Sequence, residues 1–109
     1  MDLIERKIID WSKTGKRLRT LRERNMSLIR YTCFVCHYKE ENCDGECESC
    51  DFDKDLDRSI TRDELAKVFG VTATIINNWE MGNTPVPLDD LLFYCQISKQ
   101  ELSEIIVFA

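Results

Sequence analysis

One short segment in the second half of the chain constrains the fold more than any other. Thr61 and Glu64 have the spacing of a capping box, in which each side chain bonds the other residue's backbone N–H. Gly70 can take a positive φ and end that helix. Thr72 is suited to cap a following helix, and Gly82 to end it. The pattern therefore predicts two short helices joined by a tight turn.

The apolar residues of these two helices indicate how they pack. Leu65, Ala66 and Phe69 on the first helix and Ile76 and Trp79 on the second would face a common core. A small residue such as Ala66 allows a close approach of the two helices. The spacing is typical of a helix-turn-helix, in which the second helix enters the major groove of DNA.

The whole chain of 109 residues predicts one all-α domain, 1–109. Its 4 Gly and 2 Pro leave little room for the many tight turns of a β-sandwich. Apolar residues at helical spacing predict an N-terminal helix over 3–11 and a second helix over 15–29. After Pro87, a helix is expected over 88–94. A second capping box, Ser98 to Glu101, is expected to open the last helix.

Charge is segregated along the chain. Residues 1–31 hold nine Lys/Arg against four Asp/Glu, a balance of +5, and the remaining residues hold six against sixteen, a balance of −10. A basic segment of this kind indicates a nucleic-acid contact on one face. The alternative is a solvated basic helix.

A family resemblance is carried by ELAKVFGVT at 64–72, followed by Ile76, Trp79, Glu80, Gly82 and Pro85. With GKRLRTLRE at 15–23 and the helical pattern over 88–106, it resembles the XRE/Cro-type, phage-repressor-like helix-turn-helix DNA-binding domain. The resemblance implies a five-helix bundle, here with an additional N-terminal helix. It further implies a transcriptional regulator of bacterial or phage type. Its partner would be double-stranded DNA, bound as a homodimer on a palindromic operator. Six cysteines without an export signal predict a reducing, cytoplasmic compartment.

The resemblance also implies which residues contact DNA. The helix at about 73–81 would read the major groove, with base-reading positions at Ala73, Thr74, Asn77 and Asn78. Asn suits adenine, and Thr or Ala can touch a thymine methyl, so an A·T-leaning half-site is expected. Phosphate contacts would fall on Arg62, Gly82, Asn83 and Thr84. Because this helix has no Lys or Arg, affinity would depend on Arg62, Lys67 and the basic first helix. The family's pairing of a first-helix Arg with a Glu falls on Arg22 and Glu80.

Residues 31–58 interrupt this pattern between the N-terminal part, 1–30, and the helix-turn-helix part, 59–109. They hold five of the six cysteines and nine acidic residues, and they read as an irregular insert. Paired C-x2-C units are typical of a structural zinc site with four ligands. The insert has few large apolar residues, and metal ligation can contribute about 10 kcal/mol to the folding of such a segment. The predicted ligands of one zinc ion are Cys33, Cys36, Cys47 and Cys50, with Cys43 and His37 as substitutes.

Other uses of these residues remain open. An iron–sulfur cluster or free redox-active thiols are alternatives to zinc. The string Cys33 to His37 matches a haem-attachment motif, but that chemistry and disulfide bonding both require export, and no signal-peptide pattern is present. Residues 53–64 resemble a calcium-binding loop, except that Arg58 stands where the sharp turn needs Gly.

The remaining residues give little indication of an enzyme. No nucleophile–base pair or phosphate loop is evident, and the single His limits acid–base chemistry. No apolar run approaches the roughly 20 residues needed to span a bilayer, so no membrane partner is expected. Cys95 is interpreted as a packed core thiol. Two alternatives to a DNA-binding regulator stay open: a protein–protein interaction module on the same fold, and a metal- or redox-responsive regulator.

Overall fold

The protein is all-α in the residues that the structure describes. The computed structural model describes residues 3–4, 6–41 and 59–109, with the backbone alone for 37–41. Within these ranges the helices are α1 (Trp11–Arg24), α2 (Met26–Glu41), α3 (Arg62–Phe69), α4 (Ala73–Met81), α5 (Leu88–Ser98) and α6 (Leu102–Ile105). The all-α prediction is confirmed, whereas the order of helices in the first half differs from the expected one.

No helix precedes α1 in the described residues, so the predicted N-terminal helix over 3–11 is wrong. Asp10 instead caps α1, and its carboxylate accepts a hydrogen bond from a backbone N–H of the first turn at 2.9 Å. An N-cap residue has non-helical backbone angles, so a helix cannot continue through it. Ile9, just before the cap, forms an antiparallel bridge with Phe108. The two ends of the described chain are thereby joined by backbone pairing.

The single helix predicted over 15–29 is in fact two helices that meet at Asn25. The backbone N–H of Asn25 donates to the carbonyl of Leu21 at 2.9 Å, which ends α1. Its side-chain oxygen accepts from the backbone N–H of Leu28, also at 2.9 Å, which begins α2. One Asn therefore serves as a cap for both helices, because its short side chain can replace a backbone acceptor.

α2 runs on to Glu41, so residues 31–41 are helical and do not begin an irregular insert. One side of α2 is buried over 28–36, where the buried residues are Leu28, Ile29, Thr32, Cys33 and Cys36. Cysteine and threonine thus extend the apolar stripe that Leu28 and Ile29 begin, since a free Cys packs like a small hydrophobe. The sequence predicted an additional helix before α1, whereas the structure has α2 after it.

The caps predicted around α3 and α4 are confirmed. The Thr61 hydroxyl accepts from the backbone N–H of Glu64 at 3.1 Å, and the Glu64 carboxylate accepts from the Thr61 N–H at 3.1 Å. Thr72 caps α4 through a 3.3 Å bond from the backbone N–H of Ile75. Gly70 ends α3 at φ 68°. The two helices are therefore joined by a short turn, and the helix ends on either side of it are capped by nearby residues.

The junction between α5 and α6 differs from the prediction. α5 starts directly after Pro87, as predicted, but it extends to Ser98, so Ser98 is not the cap of the last helix. The capping box of α6 is formed by Glu101 and Glu104. The Ser98 hydroxyl instead donates to the carbonyl of Tyr94 at 2.5 Å within α5. The box predicted from Ser98 to Glu101 is therefore wrong, since α5 absorbs its first residue.

The core contains an aromatic cluster centred on Phe69 at the end of α3. Its ring centroid lies 5.8 Å from that of Trp79, 5.0 Å from Phe93 and 4.6 Å from Tyr94. Edge-on and tilted arrangements at these distances are favourable for aromatic pairs. The other buried apolar residues around this cluster are Leu18, Leu28, Ile29, Cys33, Ile60, Leu65, Ala66, Ile76, Val86, Leu91, Ile97 and Ile105.

α1 packs against α4 at very short range because two glycines meet the opposing backbone. A methyl group at Gly15 would overlap the backbone carbonyls of Trp79 and Glu80. Gly82, just after α4, has φ 75°, and a methyl there would lie 2.7 Å from the backbone nitrogen of Ser12. The first half of α1 is thereby held against the C-terminal end of α4. None of the described helices has the length and apolar character needed to cross a membrane.

Candidate functional site

A buried ion pair links α1 to the end of α4. The Arg22 Nε donates to Glu80 Oε2 at 2.7 Å, and its Nη2 donates to Oε1 at 3.0 Å. The Glu80 side chain is 1% exposed. The third guanidinium nitrogen of Arg22 donates to the carbonyl of Ile60 at 2.7 Å, ahead of α3. Arg22 thus uses every nitrogen of its guanidinium to join three parts of the fold.

The electrostatic surroundings favour the charged form of Arg22. Burial acts to lower the pKa of this guanidinium, but the hydrogen bond and the negative charge of Glu80 outweigh burial and raise the pKa above its ordinary value. A buried charge of this kind is stable only when it is paired and hydrogen-bonded. The pairing of Arg22 with Glu80 that the resemblance implied is therefore present.

A second arginine completes the network. Arg62, the first residue of α3, donates from Nε to Glu80 Oε1 at 3.1 Å. Its side chain is 35% exposed, whereas that of Arg22 is 9% exposed. The terminal amino groups of Arg62 have no hydrogen-bond partner among the described residues. Glu80 therefore holds the Nε of Arg62, and the terminal amino groups of Arg62 lie toward solvent.

Most of the residues predicted to contact DNA at the start of α4 lie around one cleft. This cleft, here named the α3–α4 cleft, has a volume of about 560 Å³ and is lined by Arg22, Thr61, Arg62, Asp63, Ala73, Thr74 and Asn77. It brings together Arg62, Ala73, Thr74 and Asn77 from the predicted set. Thr61 and Asp63 were not predicted as lining residues. Their position on either side of Arg62 in the sequence is what could have identified them as lining residues of the cleft.

The other predicted contacts lie at the opposite end of α4. Asn78 is half-buried, and its backbone carbonyl accepts from the N–H of Asn83 at 2.9 Å. The amide nitrogen of the Asn83 side chain lies 3.5 Å from the side-chain oxygen of Asn78. Thr84 is exposed beyond them. Asn78 and Asn83 therefore form one polar group at the C-terminal end of α4, separate from the α3–α4 cleft.

The basic residues of α1 divide into structural and unengaged ones. Arg17 donates to the backbone carbonyl of Glu104 at 2.7 Å, and Arg19 pairs with Glu23 at 2.6 Å. Lys16 and Arg24 are exposed, and within the described part of the chain neither side chain has a hydrogen bond or an ion pair. Part of the positive charge of this helix thus holds the fold, and part remains at the surface.

Two of the predicted metal ligands lie one helical turn apart on α2. Cys33 is buried in the core, and Cys36 is buried with its Sγ 3.7 Å from the carbonyl of Glu64 on α3. Side chains three positions apart lie on one face of a helix, so Cys33 and Cys36 share a face of α2. Cys43, Cys47, Cys50 and the His37 side chain lie outside the described residues. The described residues alone contain no group of three metal-ligating side chains.

Comparisons with known proteins give no match for this chain. The chain matches no protein-family model. A search of curated proteins and a search of solved structures also give no significant match.

Proposed function

We propose that this chain is a sequence-specific DNA-binding transcriptional regulator with an XRE/Cro-type helix-turn-helix formed by α3 and α4. In this function α4 enters the major groove and reads bases through Ala73, Thr74, Asn77 and Asn78. The turn after α4, with Asn83 and Thr84, contacts the phosphate backbone. A regulator of this type works as a homodimer on two half-sites of an operator.

The observation that carries the proposal is the network of Glu80 with Arg22 and Arg62. The network ties α1, the segment before α3 and the end of α4 into one unit. Such a unit presents a short helix as a rigid surface, which precise base contacts require. The α3–α4 cleft supports the same function, because it collects side chains suited to base edges in one place.

We further propose a structural zinc ion for this regulator. Cys33 and Cys36 on α2 would supply two thiolates, and Cys47 and Cys50 the other two. The support is the C-x2-C spacing together with the shared face of Cys33 and Cys36. Bound zinc would hold residues 42–58 to the end of α2 and contribute to folding.

Selection from a pool of random duplexes, followed by titration of the selected duplex, tests the proposed function. The protein is expected to enrich one motif and to bind it more tightly than a scrambled duplex of the same length. The affinity is expected to fall steeply with salt, because phosphate contacts release counterions. Absence of binding to any duplex at low salt would contradict the proposal and favour a protein–protein interaction module on this fold.

A further inference from the structure

Arg62 differs from Arg22 in what its guanidinium leaves unused, although both bind the same carboxylate. Arg22 engages all three of its nitrogens with Glu80 and the Ile60 carbonyl. Arg62 engages Nε alone, at 3.1 Å from Glu80 Oε1. Because the buried carboxylate holds only Nε, the two terminal amino groups of Arg62 stay available to a second pair of acceptors. That arrangement suits bidentate recognition.

Arg62 shares a cleft with residues at the start of α4. The α3–α4 cleft places Arg62 beside Ala73, Thr74 and Asn77. Ala73 carries only a methyl group, so the first residue of α4 adds no long side chain to the lining of this cleft. α4 itself, ATIINNWEM, contains neither Lys nor Arg. Among the described residues that line this cleft, Arg62 is therefore the one whose guanidinium has unengaged amino groups.

The positive charge around Arg62 is balanced by two carboxylates. Arg22 and Arg62 together carry two positive charges. Glu80, which both bind, and Asp63, which lines the cleft, carry two negative charges, so these four residues sum to zero. A phosphate at this position would also approach the exposed carboxylate of Asp63. A neutral base edge meets no such repulsion, and it offers paired acceptors to the two amino groups.

We infer that Arg62 is a specificity-determining residue that reads a guanine in the major groove, with Glu80 as the residue that positions it. Guanine presents N7 and O6 as two acceptors on one edge, and bidentate Arg to these atoms is the commonest specific contact to DNA. This inference rests on the proposed function. It supplies the guanine contact that α4 lacks, and it gives Arg62 a base where the family resemblance implied a phosphate. Each half-site should therefore contain one required G·C pair beside its A·T-leaning part.

The test compares the motifs that wild type, Arg62→Lys and Arg30→Lys select from random duplexes. Arg62→Lys keeps the positive charge but loses the planar pair of donors. The wild-type motif should contain a fixed guanine, and Arg62→Lys should lose that preference while its affinity for scrambled DNA changes little. Discrimination at that base pair should fall by about 10-fold or more. Arg30→Lys, at an exposed Arg on α2, should select the wild-type motif.

A substitution in the DNA tests the same contact with the unaltered protein. Replacing the required guanine by 7-deazaguanine removes N7 and should weaken wild-type binding several-fold. Replacement of a guanine outside the motif should have no effect. An unchanged motif in Arg62→Lys, an equal loss on all sequences, or full affinity for the deaza duplex would overturn this inference and leave the proposed function standing. A wild-type protein that selects no motif would overturn the proposed function and this inference with it.

Discussion

Arg22 and Glu80 lie 58 positions apart in the chain and form two hydrogen bonds, at 2.7 and 3.0 Å, inside the protein. Removing one partner of a buried pair leaves an uncompensated charge, which costs about 3–5 kcal/mol. Arg22→Met is expected to lower the free energy of unfolding by about 3 kcal/mol, at the low end because Arg62 still compensates Glu80. Urea unfolding measures the change.

The double variant Arg22→Met, Glu80→Met separates the pair from its surroundings. Replacing both charges by apolar side chains of similar size should recover much of the lost stability, because no buried charge is then left unpaired. A loss below about 1 kcal/mol in Arg22→Met would show that the pair is not buried as described.

Gly15 provides a test of the close approach between α1 and α4. In an ordinary helix Gly→Ala stabilises by roughly 0.5–1 kcal/mol. Here the added methyl overlaps the carbonyls of Trp79 and Glu80, so Gly15→Ala should destabilise by about 1–3 kcal/mol. The exposed neighbour Lys16→Ala should stay within about 0.5 kcal/mol of wild type. A more stable Gly15→Ala variant in thermal or urea unfolding would exclude the contact.

Local signals account for what the sequence predicted correctly. The caps at Thr61 and Thr72 and the left-handed glycines after α3 and α4 depend on residues within a few positions of each other, and all are present. The pairing of Arg22 with Glu80 came from the family pattern and not from local chemistry, since its partners are distant in the chain.

The wrong predictions concern segments whose structure depends on contacts with residues far away in the sequence. Residues before α1 have helical spacing of apolar side chains, yet Ile9 pairs with Phe108 and Asp10 caps α1 with extended backbone angles. α2 continues past residue 31 and packs against α3 and α5, with Cys33 and Cys36 buried. The sequence pattern indicates the same two cysteines as metal ligands. The position of Arg62 against Glu80 likewise depends on how α3 meets α4.

The ion pair of Arg19 with Glu23 on α1 predicts a small pH dependence of stability. The hydrogen bond from Arg19, then its charge, lowers the pKa of Glu23 below its ordinary value of 4.5, and slight burial opposes the shift. Because the folded pKa is the lower one, the stabilisation is complete above the ordinary pKa and is lost as pH falls through the folded pKa.

Glu23→Gln tests this dependence. The variant should be less stable than wild type at pH 7, by at most about 0.5 kcal/mol because the pair is near the surface. As pH falls below the lowered pKa of Glu23, the difference should shrink toward zero. Urea unfolding of both proteins at each pH measures it, and a difference that stays constant between pH 7 and pH 2 would contradict the assignment.

The proposed zinc site predicts a metal content that follows particular cysteines. Protein purified under reducing conditions should contain stoichiometric zinc by elemental analysis. Cys47→Ser should lose the metal, since a structural zinc needs its full set of four ligands. Cys95→Ser, at a partly buried thiol on α5, should retain it. Metal-free wild-type protein that folds normally, or zinc retained by Cys47→Ser, would exclude the proposed ligand set.

The ratio of affinities for the selected duplex and a scrambled duplex tests the central claim, base reading by α4, most directly. Asn78→Ala should cost about 1–3 kcal/mol on the selected duplex and relax the preference at one position, with little change on scrambled DNA. Gln96→Ala, an exposed amide on α5, serves as the matched control and should keep the wild-type ratio. A wild-type ratio near one, or a ratio that Asn78→Ala leaves unchanged, would contradict the account.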